Sequence, residues 1–374
     1  MEPTVPFVDL QSLLRRQKEE LRAALEEVLD SGRFIGGPKV EELEESLAAL
    51  VDVPFAVACS SGTVAEQLLL MALEIGPGDE VLVPDFTFAA TVEAVLLVGA
   101  TPVFVDVDPL TFTMDPDAAR RAMGPQVKAV IPVSLFGQPA RLGIFERWCA
   151  EEGIVMLEDA CQSLGAREGE RRSGSFGTAA FTSFYPAKPL GGLGDGGMIF
   201  TGDGELAERV RRLRHHGEIG HHLHGEMGTN ARLDALQCAA LLVRLRSFPE
   251  EMQWRQRAAE RYEDELGDRF QTPGLLEGVV SSWAQYTLRL PDRARRDAFQ
   301  DFLRRRGIPT VVHYPQPLHT QPGLKRHRVR TEPTPATEQL CAQVVSLPIS
   351  ADIRRGDQDR VIAAALDWFE AENG

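Results

Sequence analysis

A chain of 374 residues, 43% hydrophobic and 25% charged, has ordinary globular composition and length for about two domains. The formal net charge of −15 argues against general nucleic-acid binding, and no apolar run approaches the roughly 18 uninterrupted residues of a membrane span. Five widely spaced cysteines without a CxxC pair, and an N-terminus without a basic region ahead of an apolar core, predict a reduced, cytoplasmic protein.

Leu14, Leu21, Leu25, Val28 and Leu29 recur at helical spacing, and Pro38 opens a second helix with Val40, Leu43, Leu47 and Leu50 on one face. From residue 55 strands alternate with helices. FAVAC (55–59), EVLVP (80–84), PVFVD (102–106), KAVIPV (128–133), IVMLE (154–158), AAFTSF (179–184) and GMIF (197–200) read as seven strands. Apolar on both faces, they predict an α/β fold with a mostly parallel seven-stranded sheet covered by helices. After Asn230 a helix through Leu233, Leu236, Ala240, Val243 and Leu245 leads to FPEE, and a charged helix follows over 251–266. A strand-like WAQYTLRL (283–290), a helix over 293–306, a strand at IPTVVH, a Pro-rich loop and helices near 337–345 and 355–371 complete the chain. The expected division is a large α/β domain, 1–248, and a smaller C-terminal α+β domain, 249–374.

Ligands of an open parallel sheet gather at the carboxyl ends of its strands. Ser60, Ser61, Gly62 and Thr63 end the first strand and open a helix, which suits either a phosphate cradle or an ordinary N-cap. Asp85, Thr87 and Phe88 follow the second strand, where Phe88 is either core or a plate for a flat cofactor. Glu158, Asp159 and Gln162 follow the fifth; an acid there is a cap, a metal ligand or an ion-pair partner. His215, His216, His221, His222 and His224 crowd one Gly-containing connector, which reads as a solvated loop near an anionic ligand rather than a zinc site.

The stretch 181–198, FTSFYPAKPLGGLGDGGM, places Lys188 before five glycines. Such glycines let backbone turn sharply and pass close to a ligand, and a lone amine there contacts a phosphate or forms a Schiff base. No GKS or GKT follows, so this is no P-loop, and no GxSxG nucleophile elbow occurs. A lysine, a strand-end acid, a phosphate cradle and an aromatic plate together describe a pyridoxal phosphate site.

These segments resemble the DegT/DnrJ/EryC1/StrS family of sugar aminotransferases. The resemblance runs from PFVDL and SGRFIGGPKVEELEESLA through SSGTVAEQLLLMALEIGPGDEVLVPDFTFAATVEAV, LEDACQSLGA, SFYPAKPLGGLGDGGMI and GTNARLDALQCAAL to GIPTVVHYPQPLHTQP. It implies a fold-type I enzyme that uses pyridoxal 5'-phosphate, works as a homodimer and transfers an amine, expected from glutamate, to a nucleotide-linked keto sugar. Matched position by position, Lys188 is the Schiff-base lysine and Asp159 the partner of the pyridine nitrogen. Gln162 lies near the ring hydroxyl, Gly62, Thr63 and Ser183 at the phosphate, and Phe88 on the ring. Asn230 reaches the cofactor of the neighbouring subunit. Some relatives carry histidine for the lysine and dehydrate; Lys188 implies transamination. The RHHGEIG and GIPTVVHYPQPLHTQP segments favour members acting at C3 over those acting at C4 or on cyclitols, with Tyr185, His313 and Tyr314 as sugar or diphosphate contacts. No metal is expected.

Overall fold

The computed structural model describes residues 4–373. Strands β1 (Phe55–Cys59), β2 (Glu80–Pro84), β3 (Thr101–Val105), β4 (Val127–Val130), β5 (Val155–Asp159), β6 (Ala179–Ser183) and β7 (Gly197–Thr201) lie in one sheet with a short β8 (Arg330–Thr331). The order is β1-β7-β6-β5-β4-β2-β3-β8. Only β7 runs against its neighbours; the other pairs are parallel. All seven expected strands are present. The eighth adds an edge from the C-terminal part, and its two polar residues carry no periodicity by which to find it.

Side chains alternate across each strand. Val57, Phe181 and Ile199 pack on one face against Leu68, Leu69, Val92 and Val210. Ala56, Ala58, Met198 and Phe200 pack on the other against Leu43, Leu47 and Leu241. Helices therefore cover both faces, and each fully buried Leu or Phe contributes roughly 1.5–3 kcal/mol. β4 stops at Val130, short of the expected KAVIPV run, because Pro132 has no N–H for the ladder.

Three expected elements differ. The first helix is broken at Gln17 into Leu10–Arg16 and Lys18–Ser31. The break at FPEE is absent: one helix of 32 residues, Ala235–Leu266, runs through Pro249 and across position 248. Pro249 removes one N–H from the helix ladder, but buried Arg244 spans the same turns, donating from both terminal nitrogens to Glu251 at 2.8 Å each. Gln17, Ser247 and Arg16 complete this cluster and tie the N-terminal helices to it. IPTVVH forms no strand; Val311 alone bridges Ser346, beside the strand Val344–Leu347. Pro309 within this segment and Pro315 just after it cannot donate to a ladder.

The C-terminal part has its own core around Tyr262, Tyr286, Phe299, Leu347 and Trp368, into which Val5 also inserts. Among the described residues no helix is long and apolar enough to cross a membrane.

Candidate active site

The ends of β1, β5 and β6 meet at one corner. After β1 the chain enters the helix Gly62–Ala72, with the Ser61 hydroxyl accepting the Val64 N–H at 3.1 Å. Ser61 is thus an ordinary N-cap. Gly62 is not ordinary: a Cβ there would stand 2.9 Å from Cys161 Sγ and 2.9 Å from Ser183 Cβ. Only the missing side chain lets the helix start press against the ends of β5 and β6, with its free N–H groups facing the corner. Thr63 is half-buried beside it.

Asp159 ends β5 and is 7% exposed. Its Oδ1 accepts the Cys161 N–H at 2.9 Å. Burial pushes its carboxyl up, against hydrogen bonds from Cys161 and the charge of Lys188. Its strand neighbour Glu158 points the other way and accepts from Ser173, Gly174 and Phe176. Burial still lifts Glu158 to about 7. Glu158 is a brace inside the fold, not part of the corner.

Gln162 Oε1 accepts the Phe136 N–H at 2.7 Å, and its carbonyl accepts the Ser282 hydroxyl at 2.6 Å. Its side chain also bonds the Tyr314 hydroxyl. The Tyr314 ring lies 5.9 Å from Phe86 and 6.4 Å from Phe88. His313, joined to Tyr314 by a cis peptide, shares a hydrogen bond of 3.0 Å between Nδ1 and Ser346 Oγ. Burial and then the Lys188 charge lower His313 to about 4, so it is neutral near pH 7.

Lys188 is half-buried in the turn after β6, its N–H donating to the Tyr185 carbonyl at 2.8 Å. Its charge reaches Asp159, Cys161 and His313, yet among the described residues it forms no ion pair. The Ser183 hydroxyl accepts the Tyr185 N–H at 3.2 Å. Phe88 is 59% exposed, which removes the core alternative for that ring, and Tyr185 is also exposed. Asn230 is exposed and bridges His215. His215 bonds Glu218 and Arg232, and His224 bonds the His216 carbonyl.

This corner fits pyridoxal phosphate on three observations: a helix start that a Cβ would obstruct, a buried acid without a cation bound to it, and an amine within electrostatic reach of that acid. A profile of the DegT/DnrJ/EryC1/StrS aminotransferase family matches residues 15–366. The chain belongs to this family. It is therefore a pyridoxal phosphate-dependent aminotransferase. It is 42% identical over 363 residues to UDP-2-acetamido-2-deoxy-3-oxo-D-glucuronate aminotransferase of Pseudomonas aeruginosa, covering 97% of this chain and 99% of that one. It is 38% identical over 372 residues to a pleiotropic regulatory protein of Geobacillus stearothermophilus, covering 98% of each. The crystal structure of S. venezuelae DesV in complex with a ketimine intermediate superposes with a TM-score of 0.95 at 39% identity, covering 99% of both chains.

In this aminotransferase Gly62→Ala is expected to weaken cofactor binding about tenfold, since overpacking a tight contact costs about 1–3 kcal/mol. Titrating cofactor-free protein with pyridoxal phosphate checks it; unchanged affinity would mean that the helix start is not the cradle. Three residues of the corner escape a reading of strand ends. Cys161 lies between Asp159 and Gln162 but has no motif spacing. Ser346 arrives from the C-terminal strand. Glu66 is visible in retrospect as one acid on an apolar helix. Asp85, by contrast, is structural: its carboxylate accepts from His319 and Thr334 and clamps the 317–334 segment to the sheet.

Proposed function

We propose that the protein aminates a nucleotide-linked keto sugar, at C3 of a 3-keto substrate, with glutamate as donor. The observation that carries this reading is that the Lys188 charge acts on buried Asp159, at the corner where the Gly62 helix start meets Cys161 and Ser183. The similarity to an aminotransferase whose name specifies a 3-oxo sugar supports C3.

Bound pyridoxal phosphate supplies an electron sink for the carbon that loses its proton. The protein's residues do the rest. N–H groups at the helix start, with Thr63 and the Ser183 hydroxyl, hold the phosphate. Asp159 holds a proton on the ring nitrogen; although burial raises its carboxyl, a cation at that position draws it back to the charged form. Phe88 would cover the ring face, and Gln162 would stand near the ring hydroxyl. Lys188 would serve as the base that takes the proton from the amino-bearing carbon of the donor and the acid that returns it. Neutral His313, with Tyr185 and Tyr314, faces the sugar or its diphosphate.

A homodimer is part of this reading, with Asn230 reaching the neighbouring subunit's cofactor. Exposed Phe34, Ile35, Leu223 and Met227 support such an interface. The core around Tyr262, Tyr286, Phe299 and Trp368 supports a C-terminal unit within the division 1–248 and 249–374, joined by the helix through 248. The absence of cysteine pairing supports a cytoplasmic location.

The test is a half-reaction screen. Protein loaded with pyridoxamine phosphate is offered 3-keto and 4-keto nucleotide sugars, and recovery of Schiff-base absorbance is recorded. Recovery with a 3-keto sugar is expected. Recovery with 4-keto sugars alone moves the site of amination. A bound cofactor that glutamate never converts would favour a regulator, in keeping with the name of the Geobacillus relative.

A further inference from the structure

The helix Gly62–Ala72 carries one acid on an otherwise apolar buried face. Glu66 is 1% exposed, and its Oε1 has no hydrogen-bond partner among the described residues. It stands four residues after Gly62, so the two share a helical face, and helical side chains lean toward the N-terminus. The Gly62 end of that face touches Cys161 and Ser183. Glu66 therefore leans from below toward the corner where Cys161 bonds Asp159.

Its surroundings offer no compensation for charge. Asp159 on β5, and exposed Glu93 on the helix Ala90–Leu97 packed alongside, both act on it with like charge. The Cys161 thiol is kept protonated by its own burial. Lys188 acts on Asp159 and Cys161, while Glu66 makes no ion pair among the described residues. An ionised carboxyl buried without partners is far costlier than a neutral one.

We propose that Glu66 is a positioning residue: it carries a proton at neutral pH and so leaves Asp159 as the single negative charge beside the cofactor's ring nitrogen. The role in catalysis rests on the assignment of Asp159 given above. The sign follows from like-charge coupling. Burial, then Asp159 and Glu93, hold the Glu66 carboxyl well above the ordinary carboxylate range. It ionises only as pH rises, and a second negative charge then appears under the site. Removing the Asp159 charge makes that ionisation easier.

Infrared difference spectroscopy of the full-length protein, with and without pyridoxal phosphate, tests this. A protonated-carboxyl C=O band present at neutral pH in the wild type should be lost in E66Q, or in E66L if E66Q does not fold. In D159N the same band should titrate away at lower pH than in the wild type. A spectrum unchanged by the loss of Glu66, or a band titrating at the same pH in D159N, overturns the proposal. The band is read in cofactor-free protein as well, so a failure of the cofactor assignment shows separately, as wild-type protein that develops no Schiff-base absorbance.

Discussion

Lys188→Ala is expected to eliminate the Schiff-base absorbance and to lower turnover by at least roughly 10²–10⁴-fold, the scale of proton transfer by a positioned side chain. The chain has four other lysines, at 18, 39, 128 and 325. None can substitute: Lys188 is the lysine whose charge acts on Asp159, and Lys39, for example, pairs with Glu27. The fold should survive, because Lys188 makes no ion pair among the described residues and its N–H bond to Tyr185 belongs to the backbone. Absorbance spectra and steady-state kinetics of the loaded variant decide the matter. Retained turnover, or a Schiff base elsewhere, would remove Lys188 from the chemistry.

Arg244→Ala is expected to destabilise the fold by about 3–5 kcal/mol, because it leaves Glu251 buried without its bidentate partner. Arg16 still reaches Glu251 at 2.7 Å and Asp352 at 3.4 Å, so the charge is not wholly abandoned. Replacing both Arg244 and Glu251 by methionine should recover much of the loss, since an apolar pair leaves no stranded charge. Denaturant unfolding of the two variants checks this; a double variant no better than the single would shift the explanation to packing around Pro249. The same cluster sets a pH dependence. Burial pushes the Glu251 carboxyl up, but Arg244, Ser247 and Arg16 together pull it below its ordinary value. A depressed folded value stabilises the protein above the ordinary carboxylate range, and that stability is lost as pH falls through the folded value. Acid unfolding should therefore begin at higher pH in Arg244→Ala than in the wild type.

Much of the corner was legible from strand ends. Lys188, Asp159, Gln162, Gly62 and Phe88 each follow an apolar run, and the doubly wound pattern brings such ends to one edge. Local pattern could not tell their roles apart. Ser61 is a cap while Gly62 beside it is a clearance, and Glu158 is a brace while Asp159 beside it faces the corner. In both cases neighbours in sequence point to opposite surroundings, and only packing distinguishes them. The misplaced break at FPEE has a similar cause. A proline in a polar run predicts a helix end, but a buried salt bridge between residues seven apart holds the helix through it.

By itself the sequence determined the alternation of strands and helices, because period-2 and period-3.6 apolar spacing is a local property of the chain. It also determined the chemical inventory, one lysine in a glycine-rich turn and an acid at a strand end. The tertiary structure decided which groups share an environment. Burial and electrostatics depend on what lies across space: His313 comes beside Lys188 and Ser346 from segments far apart in the chain. Glu66, an unremarked acid in an apolar helix, becomes a neighbour of Asp159 only when that helix packs against the sheet.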